Sequence, residues 1–143
     1  MRINFIGNSE EREEILATIE EVSKYLGVEL YIIDCQNKIA SLHENYININ
    51  GVMNIGKVRQ FVSNMNFGSI IIIYNASRVN KDIIDIVESI ESLNTLVYIT
   101  KGTVKADCDK TIELLGSHVA KIDNNELILP IYTDAFWKDL LCV

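Results

Sequence analysis

Polar side chains able to grip an anion recur in this chain wherever an apolar run stops. Asn8 and Ser9 follow Arg2–Ile6, Asn75, Ser77 and Arg78 follow Ile70–Tyr74, and Thr100 and Lys101 close Thr95–Thr100. Loops at the carboxyl ends of parallel strands converge on one sheet edge, the usual ligand edge of an open α/β sheet. Hydroxyls, amides and two cations gathered there could hold a phosphate or a carboxylate. The same residue types also cap helices and close turns, which is their default role. Named phosphate cradles are missing: Gly7 stands alone, with neither a G-x-G-x-x-G nor a G-x-x-x-x-G-K-[ST] pattern around it. No G-x-S-x-G elbow marks a serine nucleophile. Cys35, Cys108 and Cys142 are widely spaced and apart from His43 and His118, so no metal site is expected and the thiols read as buried. No cofactor is called for and no catalytic residue is assigned.

The elements that position these residues follow from the apolar pattern. Ile70-Ile71-Ile72-Ile73 has no polar face and must be covered on both sides, as in the centre of a parallel sheet. Arg2–Ile6, Glu29–Asp34 and Thr95–Thr100 read as further strands. Asn8 and Glu11 form a capping box for a helix with Ile15, Leu16, Ile19, Val22 and Leu26 at helical spacing, stopped by Gly27. Asn54 opens a helix carrying Val58, Phe61, Val62 and Met65, and Asn80 opens one running to Leu93 with Ile83, Ile84, Val87 and Ile90 inward. Between Cys35 and Val52 the pattern is least regular, and Tyr46–Asn50 alternates as an edge strand or an extended loop. A weaker helix is expected over Asp107–Leu115, with Asp107 and Asp109 as capping residues. Beyond it, Val119–Ile122 and Leu127–Ile131 flank a turn-rich stretch, with Pro130 at an edge or strand end. Thr133 caps a last helix bearing Phe136, Trp137, Leu140 and Leu141. Strand–helix alternation without linker or repeat gives one domain, residues 1–143: a doubly wound, mostly parallel α/β sheet with helices on both faces and an extra edge strand or hairpin.

Bulk composition sets limits. A chain of 143 residues suffices for one core, and 48 % hydrophobic with 23 % charged residues is ordinary globular usage. Twenty acidic against 13 basic residues leave a net charge of −7, which repels phosphate backbones, so bulk nucleic acid is not an expected partner. Glu10, Glu11, Glu13 and Glu14 read as a solvated face favoured by the positive end of a helix dipole. No apolar run approaches the ~18 residues of a membrane span, and a soluble, reducing, cytoplasmic setting is expected.

Two resemblances add to this. Arg2–Ile6 followed by Asn8–Leu16, then Ile70–Tyr74, Leu96–Thr100 and Gly116–Lys121, resembles the response-regulator receiver family over most of the chain. That resemblance implies a flavodoxin-like fold with an acceptor aspartate ending the third strand, where this chain has Tyr74 and Asn75. The metal-holding acidic pair after the first strand is replaced by Asn8 and Ser9, with Glu10 and Glu11 shifted onward. An amide is a poor nucleophile. The likeness therefore implies an atypical, pseudo-receiver domain that works as a protein-interaction module; stable aspartyl phosphorylation, for which Asp34 is the first site to test, would contradict it. The tail Leu127–Phe136, around Ile131-Tyr132-Thr133-Asp134, resembles the late I-P-Y-D segment of ParA/MinD-type ATPases; Asn75–Arg78 would then stand in for a Walker B end. That family's lysine-bearing loop is replaced here by Gly7-Asn8-Ser9-Glu10-Glu11, implying a degenerate relative.

The reading is a non-catalytic regulatory or assembly module that binds another protein, or a second copy, through helix faces. Its contact candidates are Phe136, Trp137, Leu140 and Leu141 and, second, the exposed face of the Asn80–Leu93 helix. The competing reading is a degenerate nucleotide binder or a small anionic-ligand binder that uses Asn8, Ser9, Asn75, Ser77, Arg78, Thr100 and Lys101.

Overall fold

The computed structural model describes residues 1–35, 45–49, 55–77, 80–91, 94–102, 107–115, 119–122 and 125–128. In chain order the elements are β1 (Arg2–Ile6), α1 (Ser9–Leu26), β2 (Leu30–Asp34), β3 (Tyr46–Asn48), α2 (Ile55–Ser63), β4 (Ile70–Tyr74), α3 (Lys81–Glu88), β5 (Thr95–Thr100), β6 (Lys110–Leu114), β7 (Val119–Ile122) and β8 (Asn125–Ile128). They build one sheet in the order β3-β2-β4-β5-β1-β6-β7-β8. From β3 to β6 all neighbours run parallel, with Leu30 opposite Ile70, Ile70 opposite Thr95 and Arg2 opposite Leu96. β7 and β8 continue the sheet antiparallel, and Asn125 and Glu126, expected in the turn-rich stretch before a strand at Leu127–Ile131, instead pair with Ile122 and Lys121 as the start of β8.

Alternation along each strand sorts the core into two halves. Ile3, Phe5, Leu30, Ile32, Ile70, Ile72, Val97 and Ile99 pack against Ile15, Leu16 and Ile19 of α1. Tyr31, Ile33, Ile71, Ile73, Leu96 and Tyr98 pack against Val58 of α2 and Ile83, Ile84 and Val87 of α3. The isoleucine strand is buried along its whole length, as a strand without a polar face must be. The doubly wound, mostly parallel α/β sheet is therefore present, together with an edge strand and a hairpin. Its strand order is its own: β1 lies between β5 and β6, whereas the flavodoxin order sets the first strand between the second and third.

Local signals shaped α1 as expected. Asn8 accepts from the Glu11 backbone and Glu11 returns a bond to Asn8, while Gly27 closes the helix at φ 69°. Two helix expectations are corrected. α3 ends at Glu88, short of Leu93. The stretch expected as a helix over Asp107–Leu115 contains strand β6. Ile112 and Leu114 alternate with Thr111 and Glu113, and this period of two lets β6 cover the open side of β1 with Ile112 in the core. The need to pair β1 outweighs the helix propensity of Glu and Leu. Asp107 and Asp109 accordingly cap no helix. Asp109 accepts from the Arg2 backbone N–H at 2.8 Å and Asp107 accepts from Arg2 Nη1 at 2.6 Å. Among the described residues no helix is long and apolar enough to cross a membrane.

Candidate functional site

The carboxyl ends of β1, β4 and β5 meet as the sequence predicts. Gly7 N–H donates to Thr100 O at 3.1 Å and Asn75 N–H donates to Ile99 O at 2.8 Å. A Cβ on Gly7 would lie 3.0 Å from Glu11 Cβ and 3.2 Å from Leu114 Cβ, so glycine permits the close approach of β1, α1 and β6.

Most expected anion-gripping groups at this edge bond to the protein itself. The Asn8 side chain serves the capping box, and Ser9 is exposed on the first turn of α1. Ser77 donates from its backbone N–H and its hydroxyl to Asn80 Oδ1, at 2.9 and 3.2 Å. Thr100 Oγ1 accepts from Asn4 Nδ2 at 2.9 Å and donates to Gly102 O at 2.7 Å. Lys101 is exposed. Arg78 lies outside the described residues, as do Phe136, Trp137, Leu140 and Leu141 of the expected contact helix. Among the described residues no group of three or more His, Cys, Asp or Glu side chains could hold a metal ion.

A residue that sequence reasoning passed over organises this edge. Arg12 is buried on the inner face of α1, with Nε donating to Asn75 Oδ1 at 3.0 Å and Nη1 to Gly7 O at 2.7 Å. Its signal was available, since it precedes Ile15 and Leu16 at helical spacing and so lies on the apolar stripe. Asn75 holds φ 59°, a left-handed backbone that asparagine tolerates better than most residues. Burial pushes the neighbouring Tyr74 phenol up to about 12, although the Arg12 cation pulls the other way.

On the neighbouring strand, opposite Tyr74, Asp34 is fully buried at the end of β2 and accepts from the Tyr46 hydroxyl at 2.7 Å. Burial and this bond to a carboxylate raise the Tyr46 phenol, while Asn48 Nδ2, donating to the same oxygen at 3.2 Å, lowers it. The Asp34 carboxylate is thus sealed from solvent and hydrogen-bonded.

A second surface lies over the opposite face of the sheet. α2 and α3 leave between them an open groove of about 590 Å³ lined by Ile55, Arg59, Asp82, Asp85, Ile86 and Ser89. Two isoleucines supply apolar surface, and one cation and two carboxylates supply charge. The α3 residues belong to the helix face expected as the second contact candidate. Its α2 wall, Ile55 and Arg59, had no separate sequence signal, because a groove depends on how two helices pack.

In comparison with known proteins, no family model, curated protein or solved structure matches the chain.

Proposed function

We propose that this domain is a non-catalytic regulatory or assembly module that binds an amphipathic helix of another protein in the groove between α2 and α3. The groove itself supports the reading: Ile55 and Ile86 offer an apolar seat, Asp82 and Asp85 complement basic side chains, and Arg59 complements an acidic one. Helix-in-groove recognition uses this combination of apolar anchors and flanking charge. At the carboxyl edge, by contrast, Asn8, Asn75, Ser77 and Thr100 spend their side chains on internal hydrogen bonds.

The test begins with the complex isolated from native cells, its partner identified and the pair rebuilt from purified components. Ile86→Glu in the full chain is expected to weaken binding at least ~10-fold, the effect of losing a buried hot-spot contact. Asp85→Lys is expected to weaken it and to reduce its dependence on salt. Unchanged affinity in both variants, with thermal unfolding also unchanged, overturns the reading. The competing anion-binding reading predicts a thermal shift with ATP or inorganic phosphate that disappears in Lys101→Ala.

A further inference from the structure

Opposite charges are sorted onto opposite walls of the groove between α2 and α3. Its cation comes from α2, where Ile55 and Arg59 stand one turn apart. Its carboxylates come from α3, where Asp82, Asp85, Ile86 and Ser89 follow at i, i+3, i+4 and i+7 and so form one continuous stripe along the helix. The walls do not neutralise each other: among the described residues Arg59, Asp82 and Asp85 take part in no ion pair. All three are exposed, and Ile55 and Ile86 beside them are half-buried.

A groove with one positive and one negative wall distinguishes the two directions in which a helix can lie along it. Turning an amphipathic helix end for end, with its apolar stripe kept against Ile55 and Ile86, exchanges the flanks that meet α2 and α3. In one direction acidic residues face Arg59 while basic residues face Asp82 and Asp85. In the other, like charges oppose each other on both sides, which disfavours that pose. A uniformly basic helix would satisfy α3 but set a like charge against Arg59.

We propose that the groove reads the direction of its partner helix, and that this helix carries acidic residues along one flank of its apolar stripe and basic residues along the other. This rests on the helix-binding reading above and adds the partner's charge pattern and the direction in which it docks. The two ends of the groove are separately marked, because α3 runs from Asp82 near its start to Ser89 at its carboxyl cap.

Synthetic peptides of about 15 residues test it on the full chain, each stapled across its outer face because unstapled helices of that length fray in water, and each monomeric at the concentrations used. One carries leucine at heptad positions a and d, glutamate at e and lysine at g. A second exchanges the e and g residues, and a third mixes both charges on each flank. The two segregated peptides are expected to bind roughly 3- to 10-fold more tightly than the mixed one, the yield of a few exposed charge pairs, and to lose that advantage in high salt. A nitroxide on the peptide amino terminus should broaden amide resonances around Asp82 for one segregated peptide and around Ser89 for the other. Arg59→Glu combined with Asp82→Lys and Asp85→Lys should exchange the two patterns. Segregated peptides that dock in the same direction, or no more tightly than the mixed one, overturn the inference and leave the helix-binding reading in place. A groove that binds none of the three also overturns it, and the helix-binding reading then stands or falls on Ile86→Glu with the native partner.

Discussion

Arg12 Nε donates to Asn75 Oδ1 at 3.0 Å, tying the start of α1 to the end of the central strand across 63 positions of sequence. Both side chains are buried, and Asn75 has a left-handed backbone. Asn75→Ala removes the acceptor from a buried cation and places a Cβ-bearing residue without side-chain compensation at positive φ. The expected loss is about 2–5 kcal/mol, combining roughly 1–2 for the backbone with 1–3 for the unpaired donor. Asn75→Gly should cost less than Asn75→Ala, because only the hydrogen bond is lost. Urea unfolding of both variants and of Arg12→Met checks the order, and a double-mutant cycle between positions 12 and 75 should show coupling.

Arg2 anchors the opposite end of β1. Its guanidinium lies 2.7 Å from Glu91, 3.5 Å from Glu88 and 2.6 Å from Asp107, joining α3 and the segment before β6 to the first strand. Desolvation opposes the charge, but the bond to Glu91 and the three carboxylates hold the guanidinium pKa above its ordinary value. Arg2→Met leaves these carboxylates facing each other. A loss of about 1–3 kcal/mol is expected, and added salt should recover part of it by screening the repulsion. Denaturant midpoints at low and high ionic strength measure both effects.

Tyrosine ionisation supplies a pH test. Burial pushes Tyr74 up to about 12, and burial together with Glu88 raises Tyr98 further. A raised phenol pKa means that the folded state favours the protonated form. The resulting stabilisation is complete below the unfolded value of about 10 and is lost as pH rises from there through the folded values. Absorbance at alkaline pH should therefore show a class of tyrosines that ionises only as the chain unfolds. Stability should fall above pH ~10, less steeply in Tyr74→Phe.

The thiols should differ in reactivity. Cys35 is buried, and burial together with the Asp34 charge pushes its thiol up to about 12; Cys108 is half-buried. Alkylation at neutral pH, mapped by peptide mass, should label Cys108 well before Cys35. Mild denaturant should abolish the difference. Equal labelling in the native protein would show that the Cys35 environment opens readily.

The two layers of the core were legible because their signals are local: a strand with no polar face, a capping box, a glycine stop and helical spacing. β6 was misread because Lys110–Leu114 forms a strand only to satisfy β1, more than a hundred residues earlier in the chain. The Asn8–Glu11 capping box was legible, but sequence could not reveal that Asn80 and Asn4 would occupy the side chains of Ser77 and Thr100. Arg12 was hidden in a run of glutamates that drew attention to the solvated side of α1. The α2–α3 groove arises from tertiary packing, which no periodicity records.

The position of β1 between β5 and β6 has a consequence for how the chain reaches its native state. β1 leaves the ribosome before its neighbour β5, with Asn4 and Tyr98 separated by 94 positions. Closing so long a loop is slow, and during synthesis Ile3 and Phe5 await their partners as an unpaired apolar strand. Nascent-chain integrity therefore depends on late-arriving sequence, and truncation before residue 95 should yield an aggregation-prone product even though β2, β4 and their three covering helices are already made.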